Sequence, residues 1–198
     1  MLDRKTMLTV FAFVLFMLAA AIWLVGHMKR WSVMPFVPPA CVMILVAGLH
    51  WRLAHAEGDL VAWTKFASFF AITYAAICAG YELILVMRVL EVAALPTFLS
   101  LIRLVFASFG LQFLVLGNWI AKLPPLRMWR PASLSLNMAG EAAILRFGGW
   151  LMVAYGLIVI AVAFLFPMPL VAPLVGSMSL AWIIVVVIRR RQLRTQTG

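Results

Sequence analysis

Long apolar stretches separated by short polar segments are the dominant pattern of this chain. Six stretches are long enough to cross a bilayer as helices, since roughly 20 apolar residues span its hydrocarbon core. Lipid gives the backbone no hydrogen-bond partners, and alternating ten-residue strands are absent, so the pattern predicts helices and not a barrel. The predicted spans are residues 7–26, 34–50, 66–87, 98–119, 147–166 and 169–188.

Composition agrees with a membrane-embedded chain. Hydrophobic residues make up 66% of the 198 residues, charged residues only 11%, and the mean hydropathy is +1.11. Soluble domains carry about 25% charged residues. The sequence therefore predicts an all-α, polytopic bundle of six transmembrane helices that forms one domain over residues 1–198.

Basic residues predict the orientation of the bundle. With the N-terminus in the cytoplasm, twelve of the 16 Lys and Arg residues fall on the inner side. The positive-inside rule therefore places both termini in the cytoplasm. The formal net charge of +10 is explained by this bias and by attraction to anionic lipid. We expect the lipid bilayer, and no specific nucleic acid, as the partner of the basic cluster Arg189–Arg194.

The first span has a second interpretation. Arg4 and Lys5, the apolar run and Ala19–Ala21 also resemble a secretory signal peptide. The run is long for a signal peptide, and its removal would leave five spans and disturb the charge balance. We therefore interpret it as a retained helix.

Small residues predict where helices approach closely. Ala67, Ala71, Ala75 and Ala79 recur every four residues on the third span, beside Ala76 and Gly80. This spacing serves either packing inside the bundle or dimerisation, and we favour internal packing. Gly148, Gly149 and Gly156 are expected to do the same on the fifth span. The oligomeric state stays open.

Two charged residues are predicted to lie within the membrane. Glu82 lies near the outer end of the third span and Arg103 near the start of the fourth, so a hairpin brings them to similar depth. Intramembrane charges usually face partners. A Glu82–Arg103 pair is expected, as a structural lock or as a proton or ligand site. Alternatively, Arg103 extends outward to Glu91.

Candidate chemistry beyond this pair is sparse. Cys41 and Cys78 lie at similar depth, and we interpret them as separate buried thiols. The three histidines lie at span ends or in loops, which disfavours haem binding. No nucleophile, phosphate-binding or metalloprotease motif is present. We predict no catalytic residues, no metal and no cofactor, and hence a protein that is not an enzyme.

The segment from Lys122 to Arg146 is the most distinctive polar region. It is long for a simple connection, and it combines basic residues with Pro124, Pro125 and Pro131. Long ordered loops often carry function. Composition alone leaves two interpretations open, a recognition element and a basic loop that only sets topology.

This region resembles the SdpI family of bacterial membrane proteins. The resemblance covers mainly residues 65–150, and six spans in about 200 residues also fit. Leu126 and Ala132 stand where the family pattern has Asn and Trp. The matching elements are Gly117-Asn118-Trp119 with Lys122, Pro124-Pro125, Arg130-Pro131 and Arg146-Phe147-Gly148-Gly149-Trp150.

The resemblance implies a function in the bacterial inner membrane. Family members act in immunity to a secreted peptide toxin, and some act in signal transduction by holding a repressor at the membrane. The implied partners are a peptide toxin or a cytoplasmic regulator, and the implied binding residues are Asn118, Lys122, Arg130 and Arg146. The alternative is a small transporter or accessory membrane subunit that uses the Glu82/Arg103 site.

Overall fold

The chain folds into a helical bundle. The computed structural model describes residues 2–27, 34–57, 59–92, 95–125, 127–128 and 138–197. A short 3-10 turn, Met34–Phe36, precedes the second helix. The helices are α1 (Arg4–His27), α2 (Val37–Ala54), α3 (Leu60–Val89), α4 (Leu95–Ile120), α5 (Met138–Leu165) and α6 (Met168–Thr197).

Five of these helices are long and apolar enough to cross a membrane. They are α1, α2, α3, α5 and the part of α4 from Thr97 to Ile120. Many of their large side chains are exposed on the bundle surface, among them Phe11, Ile44 and Trp150. Such a surface suits lipid and not water. The prediction of an all-helical chain with several helices able to span a membrane is confirmed, whereas a sixth span and the side on which the termini lie stay predictions.

The helices extend beyond the apolar stretches that predicted them. The largest differences are nine residues each: α5 begins at Met138, before the predicted start at 147, and α6 ends at Thr197, after the predicted end at 188. The start of α5 shows the reason. Glu141 lies in its first turn, where a carboxylate is favoured by the helix dipole, and alanines follow it. A transmembrane span ends where lipid ends, but a helix continues into water as long as its residues favour helix. The predicted boundaries were therefore too short.

Aspartates begin two of the helices. The Asp59 carboxylate accepts the backbone N–H groups of Val61 and Ala62 at 3.2 and 3.3 Å, which satisfies two free donors of α3. Asp3 accepts the backbone N–H of Thr6 at 2.6 Å before α1. The hydrogen bond from the Thr6 side chain lowers the pKa of the Asp3 carboxyl below its ordinary value, and the bond from the Thr6 backbone N–H adds a smaller effect.

Helix α3 lies at the centre, in contact with α1, α2 and α4. Its alanine stripe is buried, because Ala67, Ala71, Ala75 and Ala79 are each at most 6% exposed. The prediction that these residues pack inside the bundle is confirmed. Small side chains at this spacing allow neighbouring backbones to approach.

Paired glycines join α4 to α5. A Cβ atom at Gly117 would lie 2.6 Å from the carbonyl oxygen of Gly149, and one at Gly110 would lie 2.7 Å from that of Gly156. Only glycine fits this approach. The predicted packing role is thus confirmed for Gly149 and Gly156. It is wrong for Gly148 as far as the described atoms go, because a Cβ there would meet none of them within 4 Å.

Two loops at one end of the bundle pair with each other. Ala56–Glu57 (β1), after α2, lies antiparallel to Arg127–Met128 (β2), after α4. The Trp63 indole N–H also donates to the Pro124 carbonyl at 2.7 Å. We call this the paired-loop end. The opposite end, the turn end, holds the α3–α4 turn at Leu90–Val92 and the α5–α6 turn at Phe166–Pro167.

Candidate functional site

Arg103 closes the end of α5 at the turn end. Its Nη1 group donates to the Ala163 carbonyl at 3.2 Å and to the Phe164 carbonyl at 2.9 Å. These carbonyls belong to the last turn of α5, which ends at Leu165, so the helix itself leaves them short of donors. A cation is also favoured there by the helix dipole. The local role of Arg103 is therefore to cap α5.

Glu82 lies apart from this contact. Its side chain is 0% exposed, and neither carboxyl oxygen accepts a hydrogen bond from any residue that the structure describes. The expected Glu82–Arg103 pair is therefore not formed, and within the described residues Arg103 does not reach Glu91 either. The two helices form the expected hairpin, but Arg103 meets α5 instead. Sequence reasoning considered only the neighbour in the chain and overlooked the helix that packs on α4.

A cleft opens beside Arg103 between α2 and α4, with α3 as its floor. Its volume is about 810 Å³, within the range of small-ligand sites. The lining is mainly apolar and aromatic, with Arg103, Tyr74 and Tyr81 as its principal polar side chains. The lining residues are Val37, Pro38, Cys41, Tyr74, Cys78, Tyr81, Phe98, Leu99, Ile102, Arg103, Val105, Phe106 and Phe109.

Aromatic rings close the end of the cleft that lies near the middle of α3 and α4. The Tyr74 ring lies 5.6 Å from Phe109 and 6.0 Å from Phe70, measured between centroids. One turn nearer the paired-loop end, the buried Gln112 side chain donates to the Thr73 hydroxyl at 2.7 Å. This hydrogen bond between α3 and α4 fixes the two helices that carry the rings. The cleft therefore ends at a layer that is held in place.

A second cavity of about 440 Å³ lies beyond this layer, toward the paired-loop end. Phe70 and Phe113 border it, each one helical turn from a ring that borders the cleft. Arg52 and Glu141 also line it, and the Arg52 guanidinium lies 5.9 Å from the centroid of the Trp63 ring. Trp63 thus connects this cavity to the paired loops through its bond to Pro124.

The residues implied by the family resemblance do not form one cluster in the described structure. Asn118 and Lys122 are exposed at the end of α4, and Arg146 is exposed within α5, so it lies on a helix and not in a loop. Arg130 lies outside the described residues. An Asn side chain at the end of a helix can cap free carbonyls. Here the carbonyls of Gly117, Trp119 and Ile120 already accept backbone N–H groups, so they do not need Asn118 as a cap.

The cleft itself escaped the sequence reasoning. Cys41, Cys78 and Ile102 come from three different helices, and no local pattern marks them as neighbours. Both cysteines are free thiols that line the cleft, Cys41 from α2 and Cys78 from α3. Aromatic residues at four-residue spacing, Phe70 with Tyr74 and Phe109 with Phe113, were the available signal. In the described ranges no three His, Cys, Asp or Glu side chains come together as metal ligands.

Comparisons with known proteins add no relative. No protein-family model matches the chain, and no curated protein or solved structure matches it. The resemblance to the SdpI family therefore rests on the residues quoted for it. The fold and the cleft are the observations from which function is inferred.

Proposed function

We propose that this chain is an integral protein of the bacterial inner membrane that binds a membrane-active peptide. Binding gives the cell immunity to the peptide or reports its presence, and no catalysis is involved. The observation that carries the proposal is the cleft between α2 and α4, a mainly apolar site of about 810 Å³ beside the Arg103 side chain. Apolar side chains of an amphipathic peptide suit such a lining.

The proposed orientation places the turn end outside and the paired-loop end in the cytoplasm. A peptide arriving from outside then meets the cleft directly. The paired loops, with Lys122, Arg130 and Arg146 nearby in the chain, face a cytoplasmic regulator or lipid phosphates. Basic residues concentrate at the paired-loop end, which agrees with the positive-inside rule.

The transporter alternative, built on a Glu82/Arg103 site, has less support. Arg103 donates its hydrogen bonds to α5 carbonyls, and among the described residues the Glu82 carboxyl has no hydrogen-bond partner. A polar path through these two groups would need them to face one route. We therefore place the binding function first.

The proposal is tested by filling the cleft. Ile102 is 6% exposed and lines the cleft, so Ile102→Trp reduces the volume of the cleft. Leu111→Trp is the matched control, because Leu111 is 58% exposed on the same helix. A deletion strain complemented with each variant is challenged with a panel of membrane-active peptides. We expect the wild type and Leu111→Trp to protect and Ile102→Trp to lose protection. Equal protection by all three, at equal protein levels, contradicts the proposal.

The proposed role of Arg130 and Arg146 in recognising a cytoplasmic partner is tested separately. An ammonium group cannot reproduce the paired donors of a guanidinium, so Arg130→Lys or Arg146→Lys impairs protection if these residues recognise a partner. The same survival assay measures it. Full protection by both variants would show that these two arginines act through charge alone.

A further inference from the structure

Arg103 is a cation within a membrane-spanning helix, and it has no acidic partner among the described residues. It lies eight positions after Leu95, the first residue of α4, which places it about 12 Å along the helix axis. Its two hydrogen bonds go to neutral carbonyls. Neutral carbonyls stabilise a guanidinium but do not cancel its charge, and an uncompensated charge in the bilayer is costly.

The guanidinium also keeps unused donors. It carries five N–H groups in a planar fork, and both of its hydrogen bonds to α5 come from Nη1 alone. Within the described part of the chain, Nε and Nη2 donate to no protein group. Arg103 is at the same time one of the residues that line the cleft. The cleft therefore combines an apolar body with one cation whose remaining donors suit a planar anion.

We propose that Arg103 anchors the terminal carboxylate of the peptide that occupies the cleft. Arg and carboxylate form two parallel N–H···O bonds, which are among the stronger hydrogen bonds in proteins. The carboxylate neutralises the intramembrane charge, while apolar side chains of the last residues fill the cleft as far as Tyr74 and Phe109. The inference rests on the proposed peptide site and names the chemical group that this site recognises.

The size of the cleft supports a chain end and not a whole helix. Its volume of about 810 Å³ matches a ligand of drug-like size, and the Tyr74–Phe109 ring contact closes its far side. On α4, Phe109 lies six positions after Arg103, a rise of about 9 Å. A short carboxyl-terminal segment fits between the cation and the rings.

The test compares one peptide in two forms. A dansyl-labelled apolar peptide of four leucine and phenylalanine residues is made as the free acid and as the amide. The full-length protein is placed in nanodiscs of phosphatidylcholine, and binding is measured by dansyl fluorescence. We expect the acid to bind about tenfold more tightly than the amide, because the amide loses a charge-assisted hydrogen-bonded pair.

Arg103→Gln provides the second arm. The Arg103→Gln protein should bind the acid and the amide with the same affinity, equal to that of the wild type for the amide. Retained binding of the amide also shows that the cleft of the variant is folded. If the variant does not fold, the ratio of acid to amide on the wild-type protein decides. Equal binding of both forms by the wild type overturns the carboxylate anchor but leaves the peptide site. Failure of both forms to bind the wild type overturns the peptide site as well.

Anionic lipid is the other source of an anion. The wild-type titration is repeated in nanodiscs that contain phosphatidylglycerol. An unchanged preference for the acid supports the peptide carboxylate. Loss of this preference in phosphatidylglycerol, restored in phosphatidylcholine, assigns Arg103 to a lipid headgroup and overturns the proposal.

Discussion

Gly117 of α4 and Gly149 of α5 approach so closely that neither position has room for a side chain. A Cβ atom built on Gly149 would lie 2.5 Å from the carbonyl oxygen of Gly117, and the reverse distance is 2.6 Å. Seven residues along each helix, Gly110 and Gly156 repeat the arrangement. These contacts fix the relative position of α4 and α5, and through it the position of Arg103 at the end of α5.

Alanine substitutions measure this contact. Gly117→Ala or Gly149→Ala forces backbone against backbone, so we expect a loss of about 1–3 kcal/mol in the free energy of unfolding, seen as a lower melting temperature in detergent. Gly148→Ala is the control, because a Cβ there meets nothing within 4 Å. If Gly148→Ala destabilises as much as its neighbour, the close approach of the helices is not the cause.

Glu82 and Arg103 should behave as independent residues. Glu82→Gln keeps the shape and breaks no hydrogen bond, so we expect unchanged or higher thermal stability. Arg103→Gln removes the donors to Ala163 and Phe164 and should cost about 1.5–3 kcal/mol. The double variant should equal the sum of the single effects within about 0.5 kcal/mol. A larger coupling in the double-mutant cycle would show that the two side chains interact.

Asp59 should be needed for the first turn of α3. Asp59→Ala removes an acceptor from the Val61 and Ala62 N–H groups and should destabilise the protein by about 1 kcal/mol, whereas Asp59→Asn retains an oxygen at the same place and should cost little. Thermal unfolding of the two variants, compared with the wild type, measures the difference. Equal losses from both would mean that the carboxylate charge, and not the cap, is what matters.

Topology reporters address orientation. The basic residues predict a cytoplasmic signal from a fusion at Gly198 and an external signal from one in the Phe166–Pro167 turn. An alkaline phosphatase fusion reports the external side, and a fluorescent protein reports the cytoplasm. An external signal at Gly198 would overturn the inside-facing C-terminus, and an external signal from the turn in the same experiment would overturn the sixth span as well.

The sequence by itself determined the helical membrane class and much of the packing. Lipid permits few backbone structures, so long apolar runs were sufficient to predict the five helices described as long and apolar enough to span a membrane. The alanine stripe of α3 and Gly149 of α5 were also recognisable, because small residues at helical spacing have few other uses in such helices. The helix ends were not, since polar residues such as Glu141 continue a helix beyond the lipid.

Only the tertiary structure decided which side chains meet. Similar depth along the α3–α4 hairpin suggested Glu82 as the partner of Arg103. The glycine contacts instead bring the end of α5 against α4, and the last carbonyls of α5 accept hydrogen bonds from the Arg103 guanidinium. The cleft follows from the same packing, because α2 and α4 both lie against α3. A sequence reports the depth of each residue well, but it does not report the rotation and neighbours of each helix, and these set the chemistry of the site.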